Sequence, residues 1–196
     1  MTERIPRLSF DQLPAAIADR LRAKYQRLGY LGEFFARTAH QPAALAAFID
    51  FTDAAKSGLD MRIVELIALT VAVMKQVDYE RNQHERLAVN LGYGADWVAA
   101  VERLAPDEAD LAPLERVVQR LVIAAVRNDG RDVTAELEQV VEVLGATEAV
   151  AVLMVMARYT THAMLVNCLA IPPPVASIFA RDTANQEPPT RSHHND

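Results

Sequence analysis

The chain contains a single cysteine, Cys168, so an intramolecular disulfide and a CxxC redox pair are both impossible. Its context, HAMLVNCLAIPPP, is strongly apolar, and the thiol is expected to be buried and inert. Aromatic residues are scarce as well, at 6% with one tryptophan, Trp97. The core must therefore come from Ala, Val, Leu, Ile and Met, a palette that suits helices better than sheets. Long apolar runs are missing: IALTVAVM and AVAVLMVMA fall well short of a bilayer span, and MTERIPRLSF has no apolar signal segment. A soluble, cytoplasmic protein without a membrane partner is the expectation. Positive charge is in deficit, with a net charge of -6 and Lys/Arg scattered, which leaves no electrostatic footprint for nucleic acid. Also absent are a Gly-rich phosphate loop, a serine-nucleophile motif and a metal-ligand constellation, so neither cofactor nor metal is expected.

What is present is a globular balance, 51% hydrophobic against 23% charged, over 196 residues, enough for one substantial domain, taken as 1–181. Proline and glycine punctuate the chain at intervals of helix length. The spacing predicts helices near 11–27, 42–56, 61–75, 79–91, 95–104, 112–128, 132–144 and 147–170, with no alternating strand pattern. The fold class is all-α. Residues 182–196, DTANQEPPTRSHHND, have no apolar anchor and are expected to form a disordered tail in which His193 and His194 make no ligand set.

The chain can also be aligned with itself. RIVELIALTVAV (62–73) lies over RVVQRLVIAAVR (116–127), and NQHERLAVNLG (82–92) over AELEQVVEVLG (135–145), as in a helix-pair repeat. Glu65 then stands opposite Gln119, and His84 opposite Leu137. One copy has given packing positions to titratable groups, a local inconsistency of the kind that functional sites produce.

Glu65 lies in the near-continuous apolar helix MRIVELIALTVAVMK, where a carboxylate either meets a partner or reaches solvent or Arg62 from the first turn. Asp78 is a candidate N-cap, after which Glu80 and His84 fall at i and i+4 on one helix face. A carboxylate bound to one ring nitrogen fixes the tautomer and frees the other for proton transfer; the same spacing also describes an ordinary surface pair. Tyr79 can donate a phenolic hydroxyl or simply pack. His162, in RYTTHAMLVN, is polar enough in context to face a cavity, His40 reads as a solvated loop residue, and Trp97 as a packing anchor.

Residues 62–104, RIVELIALTVAVMKQVDYERNQHERLAVNLGYGADWVAAVERL, resemble the carboxymuconolactone decarboxylase and alkylhydroperoxidase D-like family. The likeness extends through LPAAI…GYLGEFFARTAHQPAALAAFIDF and RYTTHAMLVNCLAIP to roughly residues 6–175. In the peroxidase branch the motif is a Glu, a CxxC pair and a His four residues after the second Cys. Glu65 and His84 fall at the Glu and His positions, but Val77 and Glu80 stand where the cysteines would be. That excludes thiol peroxidase chemistry and a disulfide relay. The resemblance implies an alkylhydroperoxidase D-like helical bundle, assembled as a homotrimer or homohexamer, with Glu65, Glu80 and His84 as a catalytic cluster and Tyr79, Arg62 and His162 as substrate contacts; Arg81 is a further candidate by proximity. The expected activity is that of a cofactor-independent acid/base enzyme, a lyase of the decarboxylase type, acting on a small carboxylated or lactone-like molecule. The alternative is a non-catalytic oligomeric binding or scaffold protein that kept the fold after losing its redox pair.

Overall fold

Helix boundaries follow the breakers. The computed structural model describes residues 5–180, and every regular element among them is helical. A 3-10 turn at Phe10–Gln12 precedes α1 (Ala15–Leu28), α2 (Glu33–Thr38), α3 (Pro42–Ser57), α4 (Met61–Met74) and α5 (Asp78–Asn90). Then come α6 (Ala95–Glu102), α7 (Pro113–Arg127), α8 (Thr134–Leu144) and α9 (Ala146–Cys168). All eight expected helices form. The ninth, α2, has six residues, too few to show a hydrophobic period. The expected tail at 182–196, with His193 and His194, lies outside the described residues.

The fold is built around α4. Asp60 caps it, its carboxylate accepting from the Arg62 amide at 2.8 Å. Beyond the first turn every residue from Ile63 to Ala72 is buried, as expected of a helix that is apolar on all sides. It packs on α5, α6, α7 and α9. The α7 helix faces it with Val118, Leu121, Val122 and Ala125, and places Gln119 at the contact. There the Gln119 amide donates to Thr70 Oγ1 (3.1 Å) and to the Val101 carbonyl (2.8 Å), tying α4, α6 and α7 together. The two helix pairs that align in sequence, α4–α5 and α7–α8, both form; beyond that correspondence of elements nothing establishes a duplication. Gly145 turns the chain between α8 and α9 at φ 82°, ψ 167°, a conformation open to glycine and strained for any residue with a Cβ.

Two apolar clusters result. One surrounds α4, with Leu66, Ile67, Leu121, Val152 and Tyr159. The other joins Ile17, Leu21, Phe34 and Leu45 to Val77, Tyr79 and Val166. Residues 171–180 lie as a strap across α5. Asn82 donates to the Val175 carbonyl (2.8 Å), Arg86 to that of Ala176 (2.8 Å), and Glu85 accepts from the Ile178 amide (2.7 Å).

Several expectations need correction. Asp78 is the first residue of α5 rather than its N-cap, which is Val77. Cys168 is exposed, because it falls on the outer face of α9 while Val155, Tyr159, His162 and Val166 take the inner one. Apolar neighbours in sequence do not say which way a helical residue points. Methionine contributes little to the core: Met156 packs, partly buried, against the cluster around α4, while Met61, Met154 and Met164 are exposed. Finally, α9 has 23 residues and is apolar enough to cross a membrane by length and composition, contrary to the reading of short runs. Here its inner face packs in the bundle and carries site residues.

Candidate functional site

The site forms at the seam between the two clusters. Glu65, wholly buried on α4, meets His84 of α5, with its Oε2 2.6 Å from Nδ1. It therefore neither reaches solvent nor bonds Arg62. Glu80, one turn before His84, has its Oε2 3.5 Å from His84 Nε2 and 3.1 Å from Nδ1 of His162 on α9. Arg158, also on α9, places Nη1 3.4 Å from the same oxygen. The His162 nitrogen is close to Glu80 but off the line of a hydrogen bond, so the contact is chiefly electrostatic. Aromatic rings fix both imidazoles: Tyr159 meets His84 edge-on at 5.2 Å, and Phe34 lies 4.0 Å from His162.

These neighbours push the titrating groups apart. Burial works to lower the His84 value, but Glu65 and Glu80 overcome it and raise the imidazole to about 9. Burial also dominates at His162, and there it prevails over the pull of Glu80, so its value falls below that of a free histidine. Glu80 is pushed up by burial, yet His162 and His84 hold its carboxyl well below the usual range. At neutral pH the site thus holds one imidazolium, one neutral imidazole and a carboxylate between them. Burial raises the Tyr79 phenol to about 12, which keeps it a neutral hydroxyl.

A cavity of about 360 Å³ opens over this floor. Glu80, His84, His162, Tyr79 and Phe34 lie at its base, with Arg158 and Lys56 beside them and Lys24, Arg27 and Arg86 toward the mouth. Val175 of the strap covers one side. The charged groups of its walls are predominantly cationic in a chain whose net charge is -6. Among the described residues no group of three or more His, Cys, Asp or Glu is arranged to hold a metal ion.

Of the residues singled out in the sequence, Glu65 and Glu80 both meet His84, one at each ring nitrogen, and Tyr79 and His162 line the same cavity as Glu80 and His84. Arg62 does not. Its guanidinium pairs with Glu115 and stacks on Tyr93 and Trp97, so it braces α4 against α6 and α7. Arg81 is likewise spent on Glu102 and Glu85. The cavity's own cations, Lys24, Lys56 and Arg158, come from α1, α3 and α9 and were missed, since no spacing within one helix links them. The rarity of lysine in the chain is the one sequence signal that could have pointed to two of them.

Residues 42–118, from α3 into α7, match the carboxymuconolactone decarboxylase family model. This segment belongs to the carboxymuconolactone decarboxylase family. The fold is alkylhydroperoxidase D-like. An uncharacterised peroxidase-related protein with an alkylhydroperoxidase AhpD core, from Ralstonia eutropha JMP134, superposes with a TM-score of 0.76 at 20% identity, over 87% of this chain and 91% of that one. An Agrobacterium tumefaciens protein of unknown function, described as a candidate antioxidant defence protein AhpD, gives 0.62 at 16% identity, over 70% and 94%. No curated protein matches the sequence. Within this carboxymuconolactone decarboxylase-family segment, Glu80 occupies the position that the resemblance assigns to the second cysteine of thiol-bearing members. A carboxylate is thus paired with the histidine where they would carry a thiol.

Proposed function

We propose that the protein is a cofactor-independent acid/base enzyme, a lyase of the decarboxylase type, acting on a small carboxylated or lactone-like anion. The observation that carries this reading is a pair of buried histidines sharing one carboxylate, Glu80, under a cation-lined cavity. His84 is the acid. Its Nδ1 is committed to Glu65 at 2.6 Å, whereas Nε2 is held only loosely at 3.5 Å and can turn its proton to a bound substrate. Neutral His162 is the base, and Glu80 carries charge between the two rings. Lys24 and Arg158 receive the substrate carboxylate, a contact that neutralises it without a metal or cofactor.

Thiol peroxidase chemistry is not part of the proposal, since Cys168 has no resolving partner in the chain. The active form is proposed to be a homotrimer or homohexamer. The support is α9, whose outer face is uncharged and exposed at Val150, Met154, Ala157, Thr161, Met164 and Cys168, a 4-3-4-3-4 spacing suited to a second helix.

The test is calorimetric binding of small mono-, di- and tricarboxylates, together with CO₂ release from carboxymuconolactone. His84→Leu should leave the fold intact and abolish CO₂ release. A variant that retains turnover, or wild-type protein that binds no carboxylate, contradicts the reading.

A further inference from the structure

Lysine is rare in this chain: of 20 basic residues only Lys24, Lys56 and Lys75 are lysines, the rest being arginine. Two of these three stand at the one cavity that holds the histidine pair. Elsewhere the fold draws its ion-pair cations from arginine, as at Arg20, Arg62, Arg81 and Arg120. A guanidinium would grip a carboxylate at least as well, with more donors in a fixed fork, and it never gives up its proton. An arginine cannot act as an amine nucleophile.

Lys56 is placed to do so. It is half-buried at the cavity wall and makes no hydrogen bond or ion pair among the described residues. Its ammonium lies 5.2 Å over the Tyr159 ring, and the guanidinium of Arg158 lies 4.3 Å from the same ring. Both groups approach one aromatic ring, and the second, Arg158, is tied to Glu80. Burial first and Arg158 next push the Lys56 amine below its ordinary value, against Glu65 and Glu80. Desolvation beside a second cation is one way to obtain a neutral amine near pH 7. Lys24 differs in place: it is exposed near the mouth, over Phe35 at 4.6 Å, and suits a carboxylate arriving from solvent.

We propose that Lys56 is a nucleophile that forms an imine with a small oxo acid, a carboxylate that also bears a ketone or aldehyde carbonyl. This rests on the acid/base reading of the same cavity and narrows its substrate class. The neutral amine adds to the carbonyl carbon, forming the C–N bond, and the carbonyl oxygen takes up a proton. The nitrogen loses a proton, and the new hydroxyl leaves as water with a proton from His84, giving a protonated imine. In a 3-oxo acid the bond to the carboxylate then breaks. CO₂ departs, the electron pair of that bond forms the carbon–carbon double bond of an enamine, and the iminium π pair moves onto nitrogen. Protonation at carbon and hydrolysis by water return the ketone and the free amine, with no oxidant or reductant consumed.

The experiment is reductive trapping: full-length protein, acetoacetate as probe and cyanoborohydride as the hydride source, read by intact mass and peptide mapping. Lys75 lies outside the cavity and serves as the internal reference for unspecific alkylation. Lys56 should be labelled severalfold faster than Lys75, Lys56→Arg should lose that label, and Lys24→Arg should keep it. Labelling of Lys56 no faster than Lys75, or preferential labelling of Lys24, overturns the proposal on wild-type protein alone, whatever the variants do. The two readings fail separately. Turnover lost in His84→Leu with Lys56 unlabelled leaves acid/base chemistry without an imine; Lys56 labelled while His84→Leu keeps full turnover leaves an imine site without that acid.

Discussion

His84 is an imidazole between two carboxylates, and that placement has a thermodynamic signature. Its folded-state value of about 9 lies above the ~6.5 of an unfolded histidine, so its stabilising contribution is complete below pH ~6.5 and is lost as pH rises through about 9. The shift is equivalent to on the order of 3 kcal/mol, an upper figure for a group that is buried and strongly paired. His162 acts in the other sense: its value is lowered, so its contribution is present above ~6.5 and is lost on acidification. Urea midpoints should therefore fall between pH 6.5 and 9, and Glu65→Gln, which removes the main charge holding the His84 proton, should flatten that fall. An equally steep decline in the variant would mean that the linked proton belongs to some other group.

Between elements, the firmest connection lies on the side of α4 away from the cavity. Glu115 of α7, almost wholly buried, accepts from Arg62, from the Trp97 indole (3.0 Å) and from the Ala112 amide (2.7 Å), so one carboxylate joins α4, α6 and the start of α7. Glu115→Ala strands the buried indole N–H and should cost about 3 kcal/mol in a denaturant titration, with Glu115→Gln costing less because it keeps an acceptor. A loss below about 1 kcal/mol would show that the bundle does not depend on this junction. The same junction explains what the sequence concealed. Helix limits were legible because Gly and Pro act locally, although the one cap read from sequence, Asp78, falls inside α5, and the Glu65–Glu80–His84 cluster was legible because an i,i+4 pair and a mismatch in an apolar stripe are local too. Arg62, one turn before Glu65, could not be assigned by spacing: its long side chain swings to Glu115 on α7 and to two aromatic rings, Tyr93 before α6 and Trp97 at its start. Lys24, Lys56 and Arg158 reach the cavity from α1, α3 and α9, a convergence that only tertiary packing creates. Cys168 was misjudged for the related reason that composition does not choose a helix face.

As a whole, the molecule is an acidic bundle with a cationic pocket and an uncharged outer stripe on α9. If that stripe is the subunit contact, Met164→Glu, at the most exposed of the large apolar side chains, should convert the assembly to monomer without melting α9. Light scattering of wild-type protein that gave a stable 21.6 kDa particle would remove the assembly proposal. The bundle brings α4, α5 and α9 together to hold a proton on His84, beside a neutral His162, under a cavity whose charged walls are mainly cationic. NMR titration of the histidine ring resonances, assigned by substitution, tests it most directly and needs no substrate. His84 should titrate near 9 and move down sharply in Glu65→Gln, while His162 should titrate below the ordinary histidine value. A His84 resonance titrating near ~6.5, the value of a free histidine, and unmoved by Glu65→Gln or Glu80→Gln, would contradict it.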